Sequence, residues 1–227
     1  AHAKAMVVRD WLGAGIPSAG VGCAIARDRL AILDTRSERR GPFDADSLTE
    51  DYELGLRVAE AGAKVAFLRV RGSDGRLVAT RAFFPRRLET AVRQKTRWVC
   101  GIALQGWDRM GWSGGIIDGW MRLRDRRGPM AALVLFAAYL LLILSAVLLV
   151  AQHLGLARSL ALTPLIGTLL VTNAVSLVWR SAFRGIFTAR EYGAEEGVRA
   201  VLRIPLSNFI AILAGRRAVV QYVASLR

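Results

Sequence analysis

Histidine and cysteine are scarce in this chain, and their scarcity excludes several kinds of chemistry. The 227 residues contain two histidines, His2 and His153, which are too few and too far apart for a protein metal site of the usual spacing. Cys23 and Cys100 lie in apolar contexts and form no Cys-x-x-Cys or Cys/His group. Reduced thiols in a cytosolic compartment are therefore expected.

Signatures of nucleic-acid binding and of secretion are also missing. The formal net charge is +14, but most basic residues are isolated arginines without interleaved aromatic side chains. We therefore expect no nucleic-acid partner. The chain does not begin with Met, and its first residues have neither the apolar run nor the cleavage site of a signal peptide, so we expect it to start inside a domain.

Charged residues are nearly absent from residues 130–179, which contain only Arg158. With 53% hydrophobic residues overall, this composition indicates a membrane protein. Residues 130–151 and 159–179 are uncharged, and each is about as long as the roughly 20 residues that cross a bilayer. Both are predicted to be transmembrane helices.

Arginines flank the two predicted spans, whereas the connector between them has one basic residue. The positive-inside rule therefore places the N-terminal domain and the C-terminal tail in the cytoplasm. In the tail, residues 183–227, the longest apolar stretch is too short to span and is interrupted by Pro205 and Asn208, so we expect an interfacial or re-entrant segment. The predicted organisation is a domain of residues 1–129 followed by a membrane region of residues 130–227.

Three tryptophans precede the first span, namely Trp107, Trp112 and Trp120. Such residues either mark the depth of a segment at a membrane surface or pack against a soluble domain, and the sequence leaves both interpretations open. Residues 120–127 form a basic run that leads into the first span.

Helical and strand-like patterns alternate within residues 1–129, as in an α/β domain. Helices are predicted for residues 1–12, 27–33, 48–61 and from residue 85 onward. Strands are predicted for residues 21–26, 64–69 and 77–84, the last two joined as a hairpin by Ser73-Asp74-Gly75. Gly20 and Gly22 indicate either a close backbone approach or a plain tight turn.

The helix near residue 48 has several start and stop signals. Ser47 and Glu50 have capping-box spacing, and Gly62 supplies the stop. Asp51 then lies in the first turn, where the helix dipole favours its ionised form and keeps it available as a proton acceptor. An acidic first turn is also ordinary helix architecture, so that alternative stays open. The predicted buried face comprises Leu48, Tyr52, Leu56 and Ala59.

A second unusual helix face joins Gln94, Arg97 and Trp98, which fall at i, i+3 and i+4. It combines an amide, a guanidinium suited to phosphate oxygens and an indole that can stack on a sugar ring. An arginine and a tryptophan stacked at a membrane interface are the structural alternative. The predicted buried stripe of this helix comprises Leu88, Val92, Val99 and Ile102.

Thr49-Glu50-Asp51 and Gln94-x-x-Arg97-Trp98, followed by hydrophobic spans, resemble the TED and QxxRW motifs of membrane-bound family 2 glycosyltransferases, the cellulose synthase and hyaluronan synthase group. Residues 17–24 resemble the acceptor-side strand that precedes the TED helix in this family. Residues 120–129 and the tail resemble the bacteriophage adsorption protein B subgroup. The resemblance implies the C-terminal half of a GT-A-type domain, which is α/β, followed by an α-helical membrane region.

The resemblance implies transfer of a sugar from a nucleotide-sugar donor to a glycan or other envelope acceptor at a bacterial inner membrane. Asp51 would be the base that takes the acceptor proton, with Thr49 and Glu50 shaping the turn. By the same resemblance, Gln94 and Arg97 would face the diphosphate, and Trp98 would stack on the acceptor sugar.

Family 2 enzymes also hold a divalent metal, Mg or Mn, on an Asp-x-Asp motif in an upstream half of the domain. Asp44-Ala45-Asp46 has the letters, but it lies too near the TED helix to take that place, and a solvated loop is the better interpretation. We therefore expect the metal ligands to be absent from these 227 residues and the chain alone to be inactive. The alternative function is a non-catalytic membrane adaptor or phage-adsorption component that retains the fold.

Overall fold

The computed structural model describes residues 2–36, 47–75, 77–79, 84–158 and 163–227. Within them lie ten α-helices and one π-helical segment: α1 (His2–Trp11), α2 (Arg27–Arg36), α3 (Glu50–Glu60), α4 (Leu88–Val99), the π-helix (Cys100–Gln105), α5 (Gly106–Met110), α6 (Ile116–Arg126), α7 (Gly128–His153), α8 (Pro164–Tyr192), α9 (Ala194–Leu202) and α10 (Ile204–Ser225). The chain forms two compact units, Ala1–Ala132 with Leu213–Arg227, and Leu133–Ile212. The Asp44-Ala45-Asp46 loop lies outside the described residues.

Helix α3 begins later than its capping signals predict. Its N-cap is Thr49, which makes no side-chain capping hydrogen bond. Ser47 Oγ instead accepts the Thr49 N–H at 3.2 Å and donates to Glu53 Oε1 at 2.8 Å. The predicted capping box is therefore wrong, because the Ser47 hydroxyl binds the Thr49 N–H and Glu53 and not the Glu50 N–H.

The predicted stop of α3 at Gly62 is confirmed. Gly62 has a φ of +81°, and its N–H donates to the Ala59 carbonyl at 2.9 Å. The Ala63 N–H donates to the Val58 carbonyl at 3.2 Å, which completes a Schellman motif. Glycine adopts this left-handed conformation without the steric penalty of a Cβ.

The core of the first unit forms around α3. Tyr52 and Leu56 pack with Met110, and the partly buried Ile102 lies against them. Tyr52 and Leu56 are buried as predicted, and each such side chain contributes about 1.5–3 kcal/mol by leaving water. Leu48 is 39% exposed, so its predicted place on the buried face is wrong.

Segment 16–18 crosses directly over α3 at Gly55. A Cβ built on Gly55 would lie 2.2 Å from the Ser18 nitrogen and 2.6 Å from the Ile16 carbonyl oxygen. No side chain fits at such distances, so the crossing requires glycine on the helix.

The described residues contain a hairpin turn but no β-strand. The Gly75 N–H donates to the Gly72 carbonyl at 3.0 Å, and one antiparallel bridge joins Arg71 to Leu77. Residues 63–68 alternate between half-buried and exposed with the two-residue period of a strand, yet they have no ladder. Residues 21–26 also lack one. The strands predicted at residues 21–26 and 64–69 are not formed, because a strand requires a hydrogen-bonded neighbour as well as a suitable pattern. Residues 80–83 of the predicted strand 77–84 lie outside the described residues.

Helix α4 matches its predicted buried stripe only in part. Val92 is buried, whereas Leu88 is 45% exposed because it is the first residue of the helix. Thr96 is buried instead, and its hydroxyl donates to the Val92 carbonyl at 2.8 Å. After α4 the backbone widens into the π-helix, a form that is frequent at functional sites.

Two of the three tryptophans pack within the first unit. The rings of Trp107 and Trp112 meet edge to face with centroids 5.1 Å apart. The Arg126 guanidinium lies 5.0 Å from the first centroid and 4.5 Å from the second. Trp120, in contrast, is 64% exposed.

Helices α7 and α8 are each long and apolar enough to cross a membrane. Helix α8 continues past Trp179, the predicted end of the second span, to Tyr192. Residues 159–162, at the predicted start of that span, lie outside the described residues. The pair α9 and α10, bent by 46°, would be a third span if it forms one unit.

The predicted interruption of the tail is also wrong. Pro205 lies in the first turn of α10, where proline costs no helical hydrogen bond, and the helix continues through Asn208. The Asn208 Nδ2 donates to the Tyr139 hydroxyl at 3.3 Å within the second unit.

The crossing over Gly55 generates a stability prediction. Gly55→Ala should lower the free energy of unfolding by at least about 1–3 kcal/mol, because the new methyl group collides with backbone atoms. Gly119→Ala, at a helical glycine where a Cβ meets nothing within 4 Å, should instead be neutral or stabilise by about 0.4–1 kcal/mol. Thermal unfolding of both purified variants would check this, and equal melting temperatures would contradict the crossing.

Candidate functional site

Asp51 lies half-buried in the first turn of α3, with a glycine loop beside it. Its Oδ1 accepts the Tyr52 N–H at 2.8 Å. A Cβ built on Gly20, whose φ is +75°, would lie 2.9 Å from Asp51 Oδ2. Gly20 therefore approaches the side chain of Asp51 closely, and its positive φ also fits a tight turn. Within the described parts of the chain Asp51 forms no ion pair.

The loop beside Asp51 is held by short local contacts. The Gly20 N–H donates to Ser18 Oγ at 3.3 Å, and the Ser18 hydroxyl contacts Cys23 Sγ at 3.1 Å. The same segment crosses Gly55 two residues before Gly20. Asp51 and the loop over it are therefore both positioned by α3.

Thr49 of the first motif lies against Gly101, which follows the second motif in the chain. A Cβ built on Gly101 would lie 2.6 Å from Thr49 Oγ1 and 3.1 Å from Leu48 Cβ. Gly101 follows Trp98 by three residues and lies in the π-helix. Thr49 is buried, and among the described residues its hydroxyl oxygen has no hydrogen-bond partner. The turn that precedes Asp51 is thus packed on the π-helix that follows α4.

A buried carboxylate that the sequence analysis missed lies one turn inside α3. Glu53 is 2% exposed, and its Oε1 accepts from Arg109 Nε at 2.8 Å and from the Ser47 hydroxyl at 2.8 Å. Arg57 Nη2 donates to Glu53 Oε2 at 3.3 Å. Arg109 also donates to Ser47 at 3.1 Å, which closes the network. The i, i+4 pair of Glu53 and Arg57 was the local signal for this group, but Arg109 lies 56 residues away.

A second network holds the middle of α3 against α6. The Tyr52 hydroxyl donates to Asp125 Oδ2 at 2.8 Å, and Arg9 forms an ion pair with the same carboxylate. Burial, and then the charge of Asp125, raise the pKa of Tyr52 far above its usual range, so the phenol stays a hydrogen-bond donor. Arg122 on α6 also pairs with Glu60 at the end of α3.

The face predicted from Gln94, Arg97 and Trp98 is open. Arg97 and Trp98 are exposed, Gln94 is half-buried, and the Phe84 ring meets the Trp98 ring edge to face with centroids 6.4 Å apart. Arg97 forms no ion pair with any residue that the structure describes, so its guanidinium is available to an anion. Glu50 is exposed in the first turn of α3.

A groove of about 420 Å³ lies between the non-helical segments 16–26 and 63–68. Gly55 and Val58 of α3 form part of its wall. In the described residues no three His, Cys, Asp or Glu side chains come together as a metal site would require. Asp44 and Asp46 lie outside the described residues, so the expected absence of metal ligands stays a prediction.

Sequence comparison defines the class of this protein. The family model of "Glycosyl transferase family group 2" matches residues 1–180. The chain therefore belongs to the family 2 glycosyltransferases, and its candidate membrane helices make it a membrane member of that family.

Two curated relatives are similar to nearly the whole of this chain. "Bacteriophage adsorption protein B" of Escherichia coli (strain K12) is 33% identical over 241 residues, which cover 97% of this chain and 32% of the relative. "Bacteriophage N4 adsorption protein B" of Escherichia coli O157:H7 has the same identity and coverage. The chain thus spans about a third of the length of these relatives. No solved structure matches it.

The Glu53 network generates a prediction about stability. Removing one partner of a buried ion pair costs about 3–5 kcal/mol, because the other charge stays buried without compensation. We therefore expect Glu53→Leu and Arg109→Leu each to lower the melting temperature strongly. The double variant should lose less than the sum of the two single losses, because it leaves neither charge behind. Strictly additive losses in this double-mutant cycle would contradict the pairing.

Proposed function

We propose that this chain is the acceptor-side and membrane part of an integral-membrane glycosyltransferase, with Asp51 as the catalytic base. The observation that carries the proposal is the arrangement around Asp51. Within the described residues its carboxylate forms no ion pair, and it lies under the glycine loop next to the turn that packs on Gly101. Membership of family 2 supports transfer of a sugar from a nucleotide sugar to a glycan or other envelope acceptor.

The proposed reaction is a direct displacement at the anomeric carbon. The acceptor hydroxyl oxygen forms the new glycosidic bond, the bond between the anomeric carbon and the diphosphate breaks, and Asp51 takes the hydroxyl proton. Arg97 and Gln94 stabilise the negative charge that develops on the leaving diphosphate. Trp98 stacks on the acceptor sugar, and Thr49 and Glu50 set the turn that carries Asp51.

We further propose that the α/β GT-A sheet is completed by parts of the protein other than these residues. Residues 63–68 have the burial period of a strand, and a groove separates them from residues 16–26, with no ladder between the two segments in the described residues. Relatives three times as long as the matched region support the same idea. The metal and the donor-binding half would lie in that remaining part, and the 227 residues alone would be inactive.

The proposed location is a bacterial inner membrane, with the domain of residues 1–129 and the C-terminus in the cytoplasm. Arginines flank the membrane helices, whereas the connector between α7 and α8 carries only Arg158. This distribution follows the positive-inside rule.

A second candidate function is a non-catalytic membrane adaptor or phage-adsorption component. The names of the two relatives favour it, because they describe adsorption of a bacteriophage. It differs from the leading proposal in requiring no free carboxylate at Asp51.

Asp51→Asn separates the two functions. In the full-length protein, loss of the base should reduce turnover by about 10²–10⁴-fold while leaving the fold intact, because the amide keeps the shape of the carboxylate. Radiolabelled sugar incorporation into membranes from cells that produce the variant would measure this.

The matched control for that variant is Asp10→Asn, which changes an exposed carboxylate on α1. It should retain parental turnover. If the Asp51 and Asp10 variants are equally active, the catalytic proposal is wrong and the adaptor is the better interpretation. Phage adsorption by cells producing each variant reports on the adaptor function independently.

Arg97→Lys tests the diphosphate contact. Lysine keeps the charge but loses the planar fork that binds two phosphate oxygens, so we expect turnover to fall by about 10–10³-fold. Inhibition by the nucleoside diphosphate product should weaken in parallel. Arg86→Lys, at an exposed arginine that precedes α4, should change neither quantity. Unchanged product inhibition in the Arg97 variant would place the diphosphate elsewhere.

A further inference from the structure

Four of the five charged side chains of helix α6 point into the first unit, and the fifth, Arg124, is half-buried. Arg122 is 3% exposed and donates to the Met110 carbonyl at 2.9 Å as well as pairing with Glu60. The remaining inward charges of this helix have partners too: Asp118 accepts the Gly15 N–H, Asp125 pairs with Arg9 and Tyr52, and Arg126 donates to the Gly111 carbonyl.

Most apolar side chains of the same helix point outward, whereas Met121 is buried. Ile116 is 94% exposed, Trp120 64% and Leu123 50%. Their spacing of i, i+4 and i+7 places them in one stripe along the helix, and the exposed Ile117 widens it. We call these four residues the α6 ridge. Helix α6 thus exposes apolar side chains and buries most of its charged ones. This is the reverse of the usual polarity of a water-exposed helix.

An exposed apolar stripe of this kind marks a surface that lipid or another protein covers. The closeness of α6 to a membrane span in the chain favours lipid. Only Arg127 separates α6 from α7, and the Ala131 N–H donates to the Arg127 carbonyl at 2.8 Å. Helix α7 is a 26-residue apolar helix that is long enough to cross a bilayer. A ridge so close in the chain to a span lies within reach of the lipid surface.

We propose that the α6 ridge inserts into the boundary between headgroups and acyl chains of the bilayer. Isoleucine and leucine side chains enter the apolar layer, and Trp120 lies at the depth that tryptophan prefers. Arg127, exposed at the end of the helix, faces the phosphate groups.

This placement has a consequence for the rest of the first unit. The inward face of α6 holds α3 through the contacts of Asp125 with Tyr52 and of Arg122 with Glu60. A bilayer-bound α6 therefore sets the height of α3 above the membrane. If the proposed function is correct, Asp51 is kept at a fixed distance from the lipid surface, which suits an acceptor that is held at the membrane.

Site-directed spin labelling tests the ridge. Single cysteines at Ile116, Trp120 and Leu123 would be introduced into the full-length protein carrying Cys23→Ser, and labelled in vesicles of phosphatidylethanolamine and phosphatidylglycerol. Labels on the ridge should collide frequently with oxygen and rarely with a water-soluble nickel complex, as in lipid. A label at Asp10→Cys, on the exposed face of α1, is the matched control and should show the opposite ratio.

Each other result overturns the proposal. Ridge labels that the nickel complex reaches as easily as it reaches the control lie in water. Ridge labels shielded from both reagents are covered by protein, and the occupant is then a partner chain and not lipid. Quenching of native tryptophan fluorescence by brominated lipids provides a check without labels. The parent protein should be quenched more than Trp120→Phe, and equal quenching would exclude Trp120 from the bilayer.

Discussion

The carboxylate of Glu53 is a full negative charge in the interior of the first unit, where 2% of the residue is exposed. An unpaired ion at such a position costs several kcal/mol, so the fold depends on the groups that compensate it. They come from three segments: Ser47 precedes α3, Arg57 lies on α3 itself, and Arg109 lies on α5. Satisfying one charge therefore fixes three parts of the chain against one another. Asp51 lies within the resulting turn and is positioned as a consequence.

Close contacts at two glycines also restrict how these segments pack. Gly55 lets segment 16–18 cross α3 at contact distance, and Gly101 lets the turn at Thr49 lie against the π-helix. Neither contact attracts strongly by itself. Each removes alternatives, because any side chain at these two glycines would move the backbone that lies over it. Asp51, which forms no ion pair within the described residues, thus lies beside segments that have little room to shift, and our proposal of a preorganised site requires this condition.

Local signals in the sequence predicted local structure well. Gly62 ends α3 as expected because a Schellman motif involves only neighbouring residues. The uncharged runs predicted the helices α7 and α8 because length and composition alone decide whether a helix can span a bilayer. Strands at residues 21–26 and 64–69 could not be predicted in the same way, since a ladder requires a partner whose position the pattern does not contain. Pro205 misled the prediction because its effect depends on whether it falls in the first turn of a helix.

The candidate site shows the same difference between local signals and long-range partners. Asp51 and Arg97 were identified from motifs, and their roles stay predictions that the proposed experiments would test. Glu53 was missed because a glutamate beside other acidic residues in a helix suggests solvent, and the cation that explains its burial lies 56 residues away. Motifs identify groups that touch a ligand more readily than groups that hold them in place.

Helix α6 shows most clearly why a helical pattern does not determine which face is buried. Its sequence has a charged face and an apolar face, and the basic run alone suggests arginines that point toward lipid headgroups. The buried face is chosen by partners elsewhere in the chain, because Glu60 and the Met110 carbonyl bind the terminal nitrogens of Arg122, while its Nε is buried without a hydrogen-bond partner in the described residues. With Arg122 and Arg126 turned inward, Ile116, Trp120 and Leu123 point out. The internal ion pairs of the first unit thereby create the apolar surface that we propose lies in the bilayer, so stability and membrane attachment have one physical origin.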